Sequence, residues 1–458
     1  MQFIKQCDWI DPLELSKNIP DSEGHWCLLY SGSNTENLGG KSFLAFGIKE
    51  IKQSNEMDDI FDNSLDGDLY NRWFGYLSYD LKNSIEDLKE DAPSIIEMPN
   101  LLFMSFNNIV EFDHGSRIVN LYSEHVNDDE HKEKRHPVIN TLYGEASYGA
   151  EYISDIESKI NSDDQLRIRS LESNMTKDEY IEKVEYIIDE IKKGTLYQAN
   201  LTRKFYGSLS RSSTNGSTRL SDFDLFAELS ETSPSPYSCY FKINDVSIIS
   251  SSPEQFIKSD KNGNVISRPI KGTAPRKSNA IDDAKSLEKL INSTKDKAEN
   301  LMIVDLMRND FSKGCKKTSV YVEDLFKVNS YKSVHHMSSK ITGKIKGGVT
   351  SMEFIRNCFP PGSMTGTPKI KAMEICSELE GIRRGVYSGC IGWIDEDGSF
   401  DTSVVIRTII LKGDIFEFQV GGAIVYDSVP EEEWMETIYK AQDICDVLNI
   451  STDKLQLL

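Results

Sequence analysis

The sequence predicts an α+β protein dominated by antiparallel sheet, and three observations carry that prediction. Short strand patterns outnumber helical ones. Many follow one another with only a turn between them, whereas parallel neighbours need a crossover helix each time. Apolar residues, at 38% with 10% aromatics, supply a sizeable core for 458 residues. The texture divides the chain into a strand-rich part over 1–125, a surface linker or helix over 126–172, and a mixed region over 173–458.

The first part reads as hairpins: Trp26 to Tyr30, Ser42 to Phe46, and Ile109 to Phe112 with Asp-His-Gly as the following turn. The charged run SEHVNDDEHKEKRHP has little core and marks the linker. Beyond it, Thr176 and Glu179 form a capping box. Ile181, Val184, Ile188 and Ile191 then make a helical stripe that ends at Gly194. TLYQANLTRKF is strand-like, and Ser208 to Thr218 reads as a loop. Strands recur as SCYFKI, VSIISSS, VISRPIKGT, CIGWID, TSVVIRTIIL and IFEFQV. Helical segments lie near 280–310, 351–358, 368–380 and 431–448.

Charge excludes several functions. There are 73 acidic against 52 basic residues, a net charge of −21, which repels nucleic-acid backbones and anionic membranes. No apolar run approaches the roughly 20 residues of a membrane helix, and the N-terminus does not read as a signal peptide. Eight dispersed cysteines without a C-x-x-C pair read as reduced thiols, so a cytoplasmic protein is expected. An anionic substrate then needs a local positive site.

Four segments carry candidate chemistry. In the last helix, Trp434, Ile438, Ala441, Cys445 and Leu448 repeat at core spacing, with Ser428 and Glu431 as capping box and Pro430 in the first turn. Glu433, Glu436 and Lys440 share another face. That face is either a solvated acidic surface or a carboxylate site with a cation one turn on. Glu299 lies in an otherwise apolar helical stretch with Met302, Ile303 and Leu306. Lys295 or a Mg²⁺ ion would compensate it.

Lys271, in RPIKGTAPR, either reaches solvent or acts as a nucleophile. At its ordinary pKa of about 10.4 it is neutral about once in 2,500 molecules at pH 7, a handicap near 4.6 kcal/mol that burial would recover in part. Glu254 follows the strand SIISSS, where a rigid element can aim it as a general acid. In PPGSMTGTPKIKAMEI, Thr367 reads as N-cap and Pro368 as N1 of a helix ended by Gly381. GGAIVYDS reads as a second glycine turn. His335-His336 lacks a metal-spaced partner, so no zinc site is expected.

RPIKGTAPR, AENLMIVDLMRND, VHHMSS, FPPGSMTGTPKIKAMEI, GGAIVYDS and EEEWMETIYKA, in this order, resemble the chorismate-utilising enzymes. The resemblance is dense from about residue 173 onward and looser in LLYSG and FGYLSYDL. It implies a large α+β sandwich of mainly antiparallel sheets with outer helices. Branches of the family that activate water carry a lysine where this chain has Gln198. The branch that aminates at C2 carries alanine where this chain has Lys271.

The resemblance therefore implies Mg²⁺-dependent amination of chorismate by ammonia at C4, for 4-aminobenzoate and folate biosynthesis. Lys271 would attack C2 while Glu254 protonates the departing C4 hydroxyl, and ammonia would then displace the lysine. Glu299 and Glu436 would bind Mg²⁺, with Glu433 close by, and Lys440 would help hold the ring carboxylate. Tyr387 and Arg407 would meet the enolpyruvyl carboxylate. His336 would stand with the catalytic groups, and Thr273, Ser363 and the Gly421, Gly422 and Ala423 backbone would line the pocket.

Ala423, Thr367 and Pro361 depart from the family pattern. SGCIG lacks the partners of a glutaminase, so ammonia is expected from a separate glutamine amidotransferase subunit. Ser31 in LLYSG, with Pro236 and Tyr237 in SPSPY, resembles the family's tryptophan-binding part. Two alternatives follow: amination at C2, or a non-catalytic tryptophan-binding regulatory subunit.

Overall fold

The computed structural model describes residues 1–32, 40–57, 72–88, 92–124, 135–144, 166–211, 220–331 and 334–458. Its first ten strands are β1 (Gln2–Cys7), β2 (His25–Tyr30), β3 (Lys41–Ser54), β4 (Trp73–Leu77), β5 (Leu101–Asp113), β6 (Ile118–Ser123), β7 (Arg167–Ser173), β8 (Gln198–Ser210), β9 (Tyr237–Ile243) and β10 (Val246–Ser252). Ten more follow: β11 (Gln255–Ser259), β12 (Asn264–Ser267), β13 (Ile270–Pro275), β14 (Tyr321–Ser330), β15 (Val334–Lys344), β16 (Gly366–Thr367), β17 (Cys390–Ile394), β18 (Phe400–Val404), β19 (Thr408–Lys412) and β20 (Ile415–Ile424). The longer helices are α1 (Lys177–Lys192), α2 (Asp222–Thr232), α3 (Ala280–Asn292), α4 (Thr294–Gly314), α5 (Ser351–Cys358), α6 (Lys369–Glu380) and α7 (Pro430–Val447).

The strands pair antiparallel in two branches. One runs β1–β6–β5–β3–β2–β9–β10–β19–β20–β8–β7. The other leaves β5 through β4 and continues β17–β18–β11–β12–β15, with β13 and β14 both on β15. β5 serves both because its start carries β4 and its end carries β6. Phe74, Tyr76, Met104, Phe106, Phe241, Ile248 and Ile391 form a core between the branches. α2 and α7 cover one outer face, α4 and α5 the other, and α1, α6 and α7 close over β8. This is the antiparallel α+β sandwich that the sequence predicts.

Several local expectations hold. Thr176 and Glu179 make the capping box of α1, and Gly381 ends α6 at φ +61°. Trp434, Ile438, Ala441, Cys445 and Leu448 are all buried. Among the described residues no helix is long and apolar enough to cross a membrane.

Others are corrected. Val429, not Ser428, caps α7, because the Ser428 hydroxyl is diverted to Glu433 Oε1 at 2.7 Å. Pro368 caps α6, because Thr367 is taken into β16 opposite Gln198. Gly421, Gly422 and Ala423 lie inside β20, laddered to β8, rather than in a turn. The segment TSVVIRTIIL splits into β18 and β19, with Arg407 between them at φ +51°, a left-handed conformation that is costly for a side chain with a Cβ.

β7 occupies the end of the stretch read as linker, runs one residue past it, and pairs with β8. Much of the remaining linker falls outside the described residues. The expected loop over Ser208 to Thr218 begins as strand, since β8 runs to Ser210, and residues 212–219 also fall outside them.

Candidate active site

Lys271 is aimed by a bulge. Ile270 faces Ser338 and Thr273 faces His336, so Lys271 and Gly272 together oppose Met337. Gly272 sits at φ +88°, and a Cβ there would meet Asp296 and Leu290 at 3.0 Å, so the bulge needs glycine. Lys271 is thereby turned toward Glu299, Glu254, Glu436 and Lys440, whose charges all act on it. Desolvation is the largest influence and, with Lys440, lowers its pKa against the pull of the three carboxylates.

Glu254 connects β10 to β11 and is buried. Its peptide oxygen accepts from Val404 N at 3.0 Å, which fixes the backbone. The Ser363 hydroxyl and the Ile270 N–H donate to its carboxyl, yet burial outweighs them and pushes the pKa up to about 7. A carboxyl poised there can give a proton at neutral pH. Ser363 itself is buried in the 3₁₀ turn Gly362–Met364.

The other carboxylates come from α4 and α7. Glu299 is raised by burial against Lys271, and Lys295 approaches it at 3.9 Å. Glu433 is buried and raised by desolvation; its Oε2 has no hydrogen-bond partner. Glu436 is drawn below the usual range by Lys440, whose Nζ lies 2.6 Å from Oε1 and 2.8 Å from the Gly421 oxygen. Gly422 makes room: a Cβ there would stand 3.0 Å from Glu433 Oε2 and 3.4 Å from Glu436 Oε1.

Oxygen donors of this kind fit a hard divalent cation, and the orphaned Glu433 oxygen is a free ligand atom. Still, among the described residues no three His, Cys, Asp or Glu side chains converge on a single point suited to an ion. Lys440 occupies the Glu436 oxygen instead.

Around this centre, His336 Nδ1 and Thr273 Oγ1 are 2.9 Å apart across the β13–β15 ladder. Burial, aided by the Arg407 charge, lowers the His336 pKa to about 4, so the ring is neutral. Arg407 donates to Ser233 Oγ at 3.3 Å. Tyr387 is buried beside Ser388 and the Arg384–Glu380 pair. The sequence did not single out that pair. Arg384 holds Glu380 at 2.6 Å and also donates to the Met364 and Asn200 oxygens and to Ser388 Oγ, so it ties together three segments near the pocket. Nor did the sequence reveal the bulge, although a glycine directly after a candidate lysine was its available signal. Farther along α4, Asp310 is structural: it pairs with Lys313 and Lys369.

A separate cavity of about 230 Å³ lies between the branches, lined by Tyr30, Lys41, Pro236, Tyr237, Trp393 and Asp401 among others. Ser31, next to Tyr30, is buried with its hydroxyl unpartnered, and Asp401 Oδ1 is likewise unpartnered. Pro236 and Tyr237 thus share one wall, with Ser31 adjoining it.

The sequence matches the chorismate binding enzyme family over residues 30–446. The chain belongs to that family. It is 36% identical to aminodeoxychorismate synthase component 1 of Escherichia coli (strain K12), covering 81% of this chain and 75% of that one. The Salmonella typhimurium protein of the same name is 35% identical with the same coverage. Anthranilate synthase component 1 of Bacillus subtilis is 32% identical over 83% of this chain and 73% of its own. The crystal structure of anthranilate synthase component I from Streptococcus pneumoniae superposes with a TM-score of 0.70 at 25% identity, covering 91% of this chain and 94% of that one. This is therefore a chorismate-utilising enzyme, and relatives named for each of two products stand near it.

Proposed function

We propose that the chain aminates chorismate at C4 with ammonia, giving 4-amino-4-deoxychorismate and water. The observation that carries this reading is the pairing of Lys271 with Glu254: a bulge-mounted lysine with a lowered pKa faces a carboxyl whose pKa is about 7. The uncharged fraction of Lys271 attacks C2, the two conjugated ring double bonds shift one after the other around the ring to C4, and the C4–O bond breaks. Glu254 gives its proton to the departing hydroxyl. Ammonia then bonds to C4, both ring double bonds shift back, and the C2–N bond breaks with its electron pair returning to Lys271. The ammonium formed at C4 carries the proton that restores Glu254.

Glu299 and Glu436, with Glu433, are the residues that would hold Mg²⁺, which when bound supplies positive charge beside the ring carboxylate. The Lys440–Glu436 contact is what the ion competes with. Lys440 and Arg407 supply the further cations that an anionic substrate needs in a protein of net charge −21. The component naming of the bacterial relatives supports a second subunit, and a glutamine amidotransferase is the reading that supplies ammonia. Purified protein with chorismate, Mg²⁺ and an ammonium salt should give aminodeoxychorismate; anthranilate as the product would refute C4 amination.

A second reading concerns regulation. The cavity beside Pro236, Tyr237 and Ser31 pairs aromatic walls with the unpartnered Asp401 oxygen, which suits an aromatic amino acid with its amine on Asp401. We assign it to tryptophan.

A further inference from the structure

The motif FGYLSYDL belongs to the strand-rich first part of the chain, yet it ends against the candidate site. Leu77 opposes Cys390 at the end of the β4–β17 ladder, and beyond that point Ser78, Tyr79 and Asp80 meet the segment that carries Tyr387. They hold Gly385 on both sides. Its N–H donates to Asp80 Oδ2 at 3.0 Å. Its oxygen accepts from Tyr79 N at 2.9 Å and from the Ser78 hydroxyl at 2.8 Å. The preceding residue, Arg384, lies over the Tyr79 ring at 4.4 Å. Asp80 is 3% exposed, and a carboxylate buried to that degree is costly unless hydrogen bonds offset the loss of water.

The segment needs that hold. Gly385 and Ser388 both sit at φ +66°, and for Ser388, which has a Cβ, this left-handed conformation is strained. Such a conformation persists only where its surroundings fix it. From the other side, Ser388 N donates to the Val405 oxygen at 2.8 Å, and Val405 N donates to the Gly389 oxygen at 3.0 Å. Val405 stands two residues before Arg407, itself at φ +51°. A Cβ on Gly389 would lie 2.0 Å from the Leu77 oxygen, so this backbone also packs directly on the strand that leads into the motif. Tyr387 and Arg407, the two residues that the resemblance assigns to the enolpyruvyl carboxylate, thus rest on one hydrogen-bonded platform. Asp80 holds one end of it.

We propose that Asp80 is a positioning residue for chorismate: by fixing Gly385 it sets the place of Tyr387 and, through Val405, of Arg407. It thereby governs how tightly the enolpyruvyl carboxylate is held. The proposal rests on the chorismate pocket read above and adds a residue that touches no substrate. Asp80→Asn keeps an oxygen that accepts from Gly385 N, whereas Asp80→Leu has no acceptor. Chorismate Kd is measured by calorimetry on the full-length protein with Mg²⁺ and without ammonia, so that nothing is aminated. Asp80→Leu should weaken binding roughly tenfold, and Asp80→Asn should stay within about threefold of the parent. Coupling is the second readout. Tyr387→Phe should weaken binding alone but add little in the Asp80→Leu background, where Tyr387 is already displaced. Ser78→Ala, a milder change at the same glycine, should act the same way by less.

Independent effects of Asp80→Leu and Tyr387→Phe in the double variant overturn the proposal. So does an Asp80→Asn variant that binds as weakly as Asp80→Leu, or a Tyr387→Phe variant that binds like the parent. Where Asp80→Leu does not fold, the coupling between Ser78→Ala and Tyr387→Phe decides in its place. With ammonium salt added, a parent protein that aminates at C2 defeats the C4 reading and leaves the role of Asp80 standing; one that does not bind chorismate defeats both.

Discussion

Lys440 Nζ stands 2.6 Å from Glu436 Oε1 while donating to the Gly421 oxygen at 2.8 Å. One ammonium thus joins α7 to the strand that carries Gly422, four residues C-terminal to the carboxylate it serves. Lys440→Met removes a charged hydrogen bond of about 1.5–3 kcal/mol, which corresponds to roughly a 10- to 150-fold rise in chorismate KM if the ammonium also meets the ring carboxylate. Freed of its competitor, Glu436 should bind Mg²⁺ at lower concentration. Titrations of both ligands check this, and a chorismate KM within twofold of the parent's would refute it.

Glu254 should set an alkaline limit on activity. Its pKa is pushed up to about 7, and it acts as a donor, so kcat/KM should fall as pH rises through that value. The Ser363 hydroxyl favours the ionised form, so Ser363→Ala should move the limb to higher pH. Glu254→Gln should cost on the order of 10²–10⁴-fold in rate. Stability runs parallel. A folded pKa raised above the unfolded one gives stability that is full below about 4.3 and is lost as pH rises through about 7. Glu254→Gln should therefore gain melting temperature relative to the parent between pH 5 and pH 8, and an equal difference at both pH values would count against a buried, titrating carboxyl.

Lys271→Ala removes the proposed nucleophile but leaves the cations that bind substrate. The rate of C4 amination should drop on the order of a hundredfold or more, with a much smaller change in chorismate KM. With C2 no longer occupied by lysine, part of the residual product should be the C2-aminated compound. Product analysis decides, and a variant that keeps the parent's rate would end the covalent role.

The residues that identify this site were legible because their chemistry is local in sequence. The 3–4 spacing of Glu433, Glu436 and Lys440 is a helix face, and the stripe from Trp434 to Leu448 fixed which side of α7 is buried. What lay hidden depends on long-range pairing. β13 bulges at Lys271 because β15 supplies one residue against two, and β15 lies more than sixty residues downstream. Gly421 to Ala423 read as a turn because glycine weakens a strand pattern. Their partner β8 makes them strand, and a Cβ on Gly421 would press to 2.4 Å from the Leu201 oxygen. The Ser428 cap failed for a similar reason: Glu433, five residues on, claims the hydroxyl.

Gly422→Ala tests whether Glu433 and Glu436 cooperate on one ion. The new methyl would stand 3.0 Å from Glu433 Oε2 and 3.4 Å from Glu436 Oε1, tight enough to push the carboxylates apart. By analogy with losing an outer partner of a metal ligand, Mg²⁺ affinity should fall roughly 10-fold while the fold survives. Activity at saturating Mg²⁺ should largely return. An unaltered Mg²⁺ titration would place the ion elsewhere.

The cavity between the branches makes the last test. Tryptophan that binds only the folded chain adds about 2.7 kcal/mol of stability at a hundredfold excess over Kd, so the melting temperature should climb with its concentration. Trp393→Ala should abolish that climb by removing an aromatic wall, and Asp401→Asn should weaken it by removing the charge offered to the amine. Three residues before Pro236, which lines this cavity, Ser233 accepts a hydrogen bond from Arg407. If ligand binding shifts Ser233 relative to Arg407, tryptophan should change the chorismate KM in the parent but not in Ser233→Ala. A thermal shift without any change in KM would instead make tryptophan an embedded structural ligand.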